Sequence, residues 1–139
     1  MKVLAIILLF FVSLFLLAYF LKPEENLTEK FENKLEIFTD KEAYTQGEEI
    51  KVNVSFFSSK DLKDVEIKVF GIKGRYGDYI SSSKVVNLRK GENLFDFYFR
   101  APYCSACTGI APGEHEINVQ LVYNNTLLAS VSKKIRIES

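Results

Sequence analysis

The sequence predicts an all-β sandwich of about seven strands preceded by one N-terminal transmembrane helix. Three observations carry that reading. The first nineteen residues after Met1-Lys2 form an uncharged apolar run, the apolar period is two from Lys34 onward, and no helical period interrupts the alternating segments. At 139 residues the chain has room for one ordinary domain.

From Val3 to Leu21 every residue except Ser13 is apolar or aromatic. As a helix this run spans about 28 Å, close to the hydrocarbon thickness of a bilayer. A cleaved secretory signal has a shorter apolar core, about 7–15 residues, and small residues at its cleavage site. Here the run ends in Leu17-Ala18-Tyr19-Phe20-Leu21, and no cysteine follows for lipid attachment. Residues 1–22 are therefore expected to form a retained signal-anchor helix, with Tyr19 and Phe20 in the interfacial belt. The N-terminus is expected inside and the remainder of the chain outside, in the cell membrane as a single-pass protein. Pro23 disfavours helical geometry at Lys22 and lacks an N–H. Residues 23–33 read as a stalk, where Leu27 and Phe31 allow a turn or two of helix or a plain linker.

Residues 34–139 read as the sandwich. Leu35 to Phe38 is a first strand. Ile50, Val52, Val54 and Phe56 alternate with Lys51, Asn53 and Ser55, and Val65, Ile67 and Val69 alternate with Asp64, Glu66 and Lys68. Lys84 to Leu88 is a short strand. Phe95, Phe97 and Phe99 face opposite to Leu94, Asp96 and Tyr98, and His115, Ile117, Val119, Leu121 and Tyr123 form the longest alternating run. The last strand sets Leu127, Ala129, Val131, Ile135 and Ile137 on one face. Its Lys133, Lys134 and Arg136 are charged enough to guard a sheet edge. Asn124-Asn125 marks a tight hairpin, because Asn tolerates positive φ. Period-two runs of this length, seven in roughly 105 residues, describe two packed sheets.

Composition excludes several functions. Setting aside Met1-Lys2 and the apolar run leaves 17 basic and 18 acidic residues (18 − 1 against 18), a net charge near −1. No nucleic-acid partner is expected of such a surface. One histidine, two cysteines and no tryptophan supply few parts for catalysis. No Ser/His/Asp set, carboxylate pair or phosphate loop is recognisable, so no enzyme activity, catalytic residue or cofactor is expected.

The segment Thr39-Asp40-Lys41-Glu42-Ala43-Tyr44-Thr45-Gln46-Gly47-Glu48-Glu49-Ile50 resembles the opening of many extracellular immunoglobulin-like modules. In those a first strand ends in a Lys-x-x-Tyr-x-x-Gly-Glu turn. Similar turns occur in macroglobulin-type domains and in adhesion-like domains of membrane-anchored archaeal and bacterial envelope proteins. The resemblance implies an immunoglobulin-like sandwich, with Gly47 entering the second strand tightly and Tyr44 covering the open end of the core. Pro112-Gly113-Glu114-His115-Glu116-Ile117 is similar to the Pro-Gly-x-Tyr start of a penultimate strand in the same class. His115 stands where a tyrosine would bond back to the main chain.

Cys104 and Cys107 form a C-x-x-C in the loop before that strand. A local disulfide is the expectation in an exterior compartment. A ring of about four residues contributes only ~2 kcal/mol, so it would stiffen the loop more than hold the fold. Redox-active thiols are a second reading, although Gly109, Pro112 and Gly113 leave no helix to lower a thiol pKa. Metal binding is a third, with His115 as the weak candidate for a third ligand beside Cys104 and Cys107. A fourth soft ligand is missing, so no metal site is expected.

The Gly71–Tyr79 stretch reads as a mobile loop between strands, and Arg75, Tyr76 and Tyr79 are candidates for a partner protein or glycan. N-x-[ST] sequons at Asn26, Asn53 and Asn124 are candidate glycosylation sites, each expected at the surface. The functional expectation is a membrane-anchored extracytoplasmic binding or assembly module of the cell envelope, with a protein or carbohydrate partner. Two alternatives stand beside it: a thiol-redox or metal-handling envelope protein using the Cys104/Cys107 loop, and an accessory subunit of a larger membrane complex.

Overall fold

A computed structural model describes residues 34–139. The expected membrane helix at 1–22, the stalk at 23–33 and the Asn26 sequon lie outside the described residues. Among the described residues no helix is long and apolar enough to cross a membrane.

The described chain is all-β, with eight strands: β1 (Leu35–Thr39), β2 (Ala43–Thr45), β3 (Glu49–Ser58), β4 (Leu62–Gly74), β5 (Gly77–Leu88), β6 (Gly91–Arg100), β7 (Gly113–Tyr123) and β8 (Thr126–Glu138). They form a three-stranded sheet ordered β1-β3-β6 and a five-stranded sheet ordered β2-β8-β7-β4-β5. Every pairing is antiparallel except β2 with β8.

The period-two runs face their apolar members inward as expected. Val52, Val54 and Phe56 of β3 meet Val65, Ile67 and Val69 of β4 and Ile117, Val119 and Leu121 of β7 in one core, all at most 1% exposed. On β6 Phe97 is buried with Phe95 and Phe99 packed beside it, while Leu94 and Tyr98 face solvent. Burial of one face is what fixes the register, because a one-residue slip would turn every one of these side chains outward.

The eighth strand is the first correction. Residues 43–45 were expected as part of a turn. They instead pair in parallel with Arg136–Glu138, taking the chain from one sheet to the other. Three residues are too few to show a period, so the strand leaves no pattern in sequence. A second correction follows from it: β8 is no free edge where it carries Arg136, because β2 lies alongside.

The third correction is the Gly71–Tyr79 loop. β4 and β5 continue through it as a ladder to Gly74↔Gly77, leaving only Arg75 and Tyr76 as the turn. The expected strand 65–69 is thus the middle of a longer one, and 84–88 is the last part of another. β5 hid its first half because an outermost strand can expose one face, here Tyr79, Ser81 and Ser83, and its Ser81-Ser82-Ser83 run has no apolar alternation. Gly71 (φ +149°) and Ile72 (φ +54°) bend β4 midway. A Cβ at Gly71 would lie 2.1 Å from the Glu116 carbonyl oxygen of β7, so only glycine allows that approach. Ile72 is turned into the core and fully buried, which offsets a conformation that β-branched residues avoid. The Asn124–Asn125 hairpin forms as expected, with φ of 48° and 61°.

Candidate functional site

The loop joining β6 to β7, residues 101–112, folds against two neighbouring turns. Gly47 N–H donates to Ala101 O (2.9 Å) and Ala101 N–H to Glu48 O (2.7 Å), tying the loop's start to the β2–β3 turn. Gly47 has φ +78°, and a Cβ there would lie 2.5 Å from the Tyr103 hydroxyl. The tight entry that the resemblance assigned to Gly47 is therefore made against this loop. Cys104 N–H donates to Gln46 Oε1 at 3.1 Å, and Arg75 N–H of the β4–β5 turn donates to Thr108 O at 2.8 Å.

Inside the loop Ser105 and Ile110 form an antiparallel bridge. The Thr108 hydroxyl lies 3.2 Å from the Tyr103 carbonyl and 3.1 Å from that of Ser105, and it accepts the Ile110 N–H at 3.3 Å. Ala101 and Ile110 anchor the loop in the core. These bonds satisfy many of the main-chain groups of a loop that covers one end of a core.

Cys104 is half-buried and Cys107 exposed, and their sulfurs are unbonded. The disulfide expected from the spacing is not made in this structure: the bridge and the Thr108 hydroxyl close the turn. His115 Nε2 lies 2.8 Å from Ala111 O. The imidazole thus bonds back to the main chain four residues upstream, as a corner tyrosine hydroxyl would. Among the described residues no group of three or more His, Cys, Asp or Glu side chains is placed to hold a metal ion, so His115 does not join the cysteines as a third ligand.

Arg75 and Tyr76 project from the hairpin turn, Tyr76 with 89% of its surface exposed. Arg75 and Cys104 share an open depression of about 590 Å³ with Gln46, Ser105, Gly109 and Ile110. Tyr79, grouped with them in sequence, lies two residues into β5 and faces solvent. A second depression, about 410 Å³, lies beside β2 and is lined by both signs of charge, including Glu42, Glu114, Lys134 and Arg136.

The turn that holds the loop is itself locked. The buried Tyr44 hydroxyl donates to Asp40 Oδ1 at 2.7 Å and accepts the Lys41 N–H at 3.1 Å, and Lys51 N–H reaches the same Asp40 oxygen at 3.0 Å. The Tyr44 hydrogen bond holds the Asp40 carboxyl below the usual carboxylate range. Burial, then that bond, pushes the Tyr44 phenol up to about 12. Glu48 accepts the Thr45 N–H at 2.9 Å and pairs with Lys41, whose ammonium lowers the Glu48 carboxyl. Tyr44 covers the end of the core as the resemblance implies.

Of the sequons, Asn124 is exposed at the hairpin tip. Asn53 is half-buried in the middle of β3 with its amide bonded to the Asp96 carboxylate. Sequence reasoning missed Gln46 and Thr108. Gln46 meets Cys104 across 58 positions, a contact with no local signal, whereas Thr108 beside Gly109 could have been read as a turn-closing hydroxyl.

Two packed sheets with this strand order define an immunoglobulin-like β-sandwich. No protein-family model matches the chain, and no curated protein matches it by sequence. Solved structures match by fold. The CARDB domain of the PF1109 protein from Pyrococcus furiosus is similar in its solution structure (17% identity, TM-score 0.50, 75% of this chain and 92% of that one). It is also similar in a crystal structure in complex with di-metal ions (14%, 0.50, 75% and 90%). A cycloisomaltooligosaccharide glucanotransferase from Paenibacillus sp., in complex with cycloisomaltoheptaose, is similar at 16% identity and TM-score 0.53 over 77% of this chain. The chain spans only 14% of that enzyme, and 31% and 49% of two other solved structures that it matches.

Proposed function

We propose that this chain is a non-catalytic binding or assembly module of an archaeal or bacterial cell envelope. An N-terminal span (residues 1–22) and a stalk (23–33) carry the immunoglobulin-like sandwich (34–139) on the outer side of the membrane. The observation that carries the binding role is the end of the sandwich at residues 101–112. There main-chain hydrogen bonds hold a folded loop to two turns while Arg75, Tyr76 and Tyr103 remain in solvent. Groups pre-set on a rigid scaffold bind without paying for loop ordering. The anchor rests on the uncharged run from Val3 to Leu21. A CARDB domain, covered to 92% of its length, shares the fold and supports the reading of a self-contained module.

The thiol-handling alternative has one observation in its favour, the two unbonded sulfurs of Cys104 and Cys107. An accessory-subunit role is the same binding reading with a membrane complex as the partner. Protease added to intact cells is expected to cleave within 34–139 or the stalk, and protection until lysis would refute the outside placement. Affinity capture of the full chain from native membranes is expected to bring a partner in fixed ratio, and recovery of the chain alone would refute the assembly role.

A further inference from the structure

The outward face of the five-stranded sheet carries a set of side chains that neither the core nor the loops use. In register across four strands, Ser83 of β5 stands beside Lys68 of β4, Gln120 of β7 and Ser130 of β8. The next row is Ser81, Phe70, Asn118 and Ser132. Val69 and Val119 between them are fully buried, so these eight residues share the solvent side of the pleat.

Six of the eight are uncharged hydrogen-bonding residues. None of those six side chains has a hydrogen-bond partner among the described residues. The one cation, Lys68, is neutralised by Glu66 at 3.4 Å. Phe70 is half-buried and lies outside the core cluster, and Tyr79, two residues before Ser81 on β5, is 46% exposed. Three strand spacings make the rows about 14 Å long.

We propose that these two rows bind a neutral glycan chain, with Phe70 under a sugar ring and the Ser, Asn and Gln side chains on its hydroxyls. This rests on the binding-module reading above and adds a second surface to it, apart from the 101–112 loop. Amides and hydroxyls each donate and accept, which matches a polyhydroxylated chain. An aromatic ring offers a flat apolar face for the C–H side of a pyranose. The rows have no net charge to complement an acidic polymer, and nucleic acid would need a basic stripe. The other apolar residues of this face, Val85, Val122 and Leu127, stand one row further on beside Glu66, so within the two rows Phe70 is the one apolar side chain, a smaller centre than a protein partner needs.

The test uses the full-length chain in detergent micelles. It is run through native gels that each contain one soluble neutral polysaccharide (dextran, glycogen, xyloglucan, galactomannan or mixed-linkage β-glucan), with polygalacturonate as the acidic comparison. At least one neutral gel is expected to retard the chain and the acidic gel is not. Phe70→Ala is expected to weaken that retardation about tenfold. Ser132→Glu, at an exposed position that leaves the core untouched, is expected to weaken it as well, while Tyr98→Ala, at an exposed position on β6 of the other sheet, leaves it unchanged. No retardation in any neutral gel would overturn the proposal, as would retardation lost in Tyr98→Ala but kept in Ser132→Glu. Absence of retardation together with protease cleavage on intact cells and a captured protein partner would overturn the glycan face alone and leave the envelope module standing.

Discussion

Replacing Tyr44 with phenylalanine removes one oxygen and leaves a ring of nearly the same shape in the core. That oxygen makes two hydrogen bonds, to the Asp40 carboxylate at 2.7 Å and from the Lys41 N–H at 3.1 Å. A hydrogen bond to a charged group contributes about 1.5–3 kcal/mol net. Asp40 is exposed and keeps its bond from Lys51, so water can take the lost place and the lower part of that range applies, about 1.5–2 kcal/mol. For a domain of this size the melting temperature should fall by about 6–10 °C. The pH dependence separates this account from simple loss of packing. The Tyr44 phenol is pushed from 10.0 up to about 12, a raised folded value, so its contribution is complete below pH 10 and is lost as pH rises from 10 to 12. Asp40 is shifted the other way, so its contribution is complete above the ordinary carboxylate range and is lost as pH falls below it. Thermal melts of the full-length chain and of Tyr44→Phe from pH 3 to 12 measure both. Tyr44→Phe should show a smaller alkaline loss and a smaller acid one. A melting temperature within 2 °C of the parent, or an undiminished alkaline loss, would refute the reasoning.

Lys84 donates to the Asp96 main-chain oxygen at 2.8 Å and sits 4.3 Å above the Phe97 ring, so it covers the open edge of β6. Lys84→Ala should cost about 1 kcal/mol and raise self-association, read by light scattering across a concentration series; a monomer at all concentrations would count against the edge-guard role. Gly71→Ala places a methyl group on the Glu116 carbonyl and should cost roughly 3 kcal/mol or more, measured by urea unfolding, whereas a loss under 1 kcal/mol would mean that β4 and β7 can separate there. The unreduced chain should take up two carbamidomethyl groups from iodoacetamide, Cys107 ahead of half-buried Cys104. Uptake only after reduction, read by intact mass, would show the sulfurs joined.

Much of the sandwich was legible in the sequence because burial of one sheet face writes a period of two wherever a strand is central. β3, β6 and β7 were read from that period alone, the tight turn at Asn124-Asn125 from residues that tolerate positive φ, and the turn at Gly47 from the resemblance to immunoglobulin-like openings. Strands without an obligatory buried face were not legible. β2 pairs over three residues, and the Ser81-Ser82-Ser83 stretch of β5 lies at the rim of its sheet. Of the loop cluster, the sequence showed Arg75, Tyr76 and the cysteines as separate features. Their common depression depends on Gln46 meeting Cys104 and on Arg75 meeting Thr108, and contacts between distant segments leave no local pattern.

The amino-acid order by itself determined the strand class, the apolar N-terminal run and the inward set of Phe, Ile and Val, since hydrophobic burial acts on each short segment independently. Only the tertiary structure decided which strands are neighbours. It is that adjacency which aligns Ser83, Lys68, Gln120 and Ser130 in one row and brings an unpaired Cys104 beside Arg75. Strand pairing is a long-range choice made by the whole core at once, so the surfaces it assembles exist only after folding.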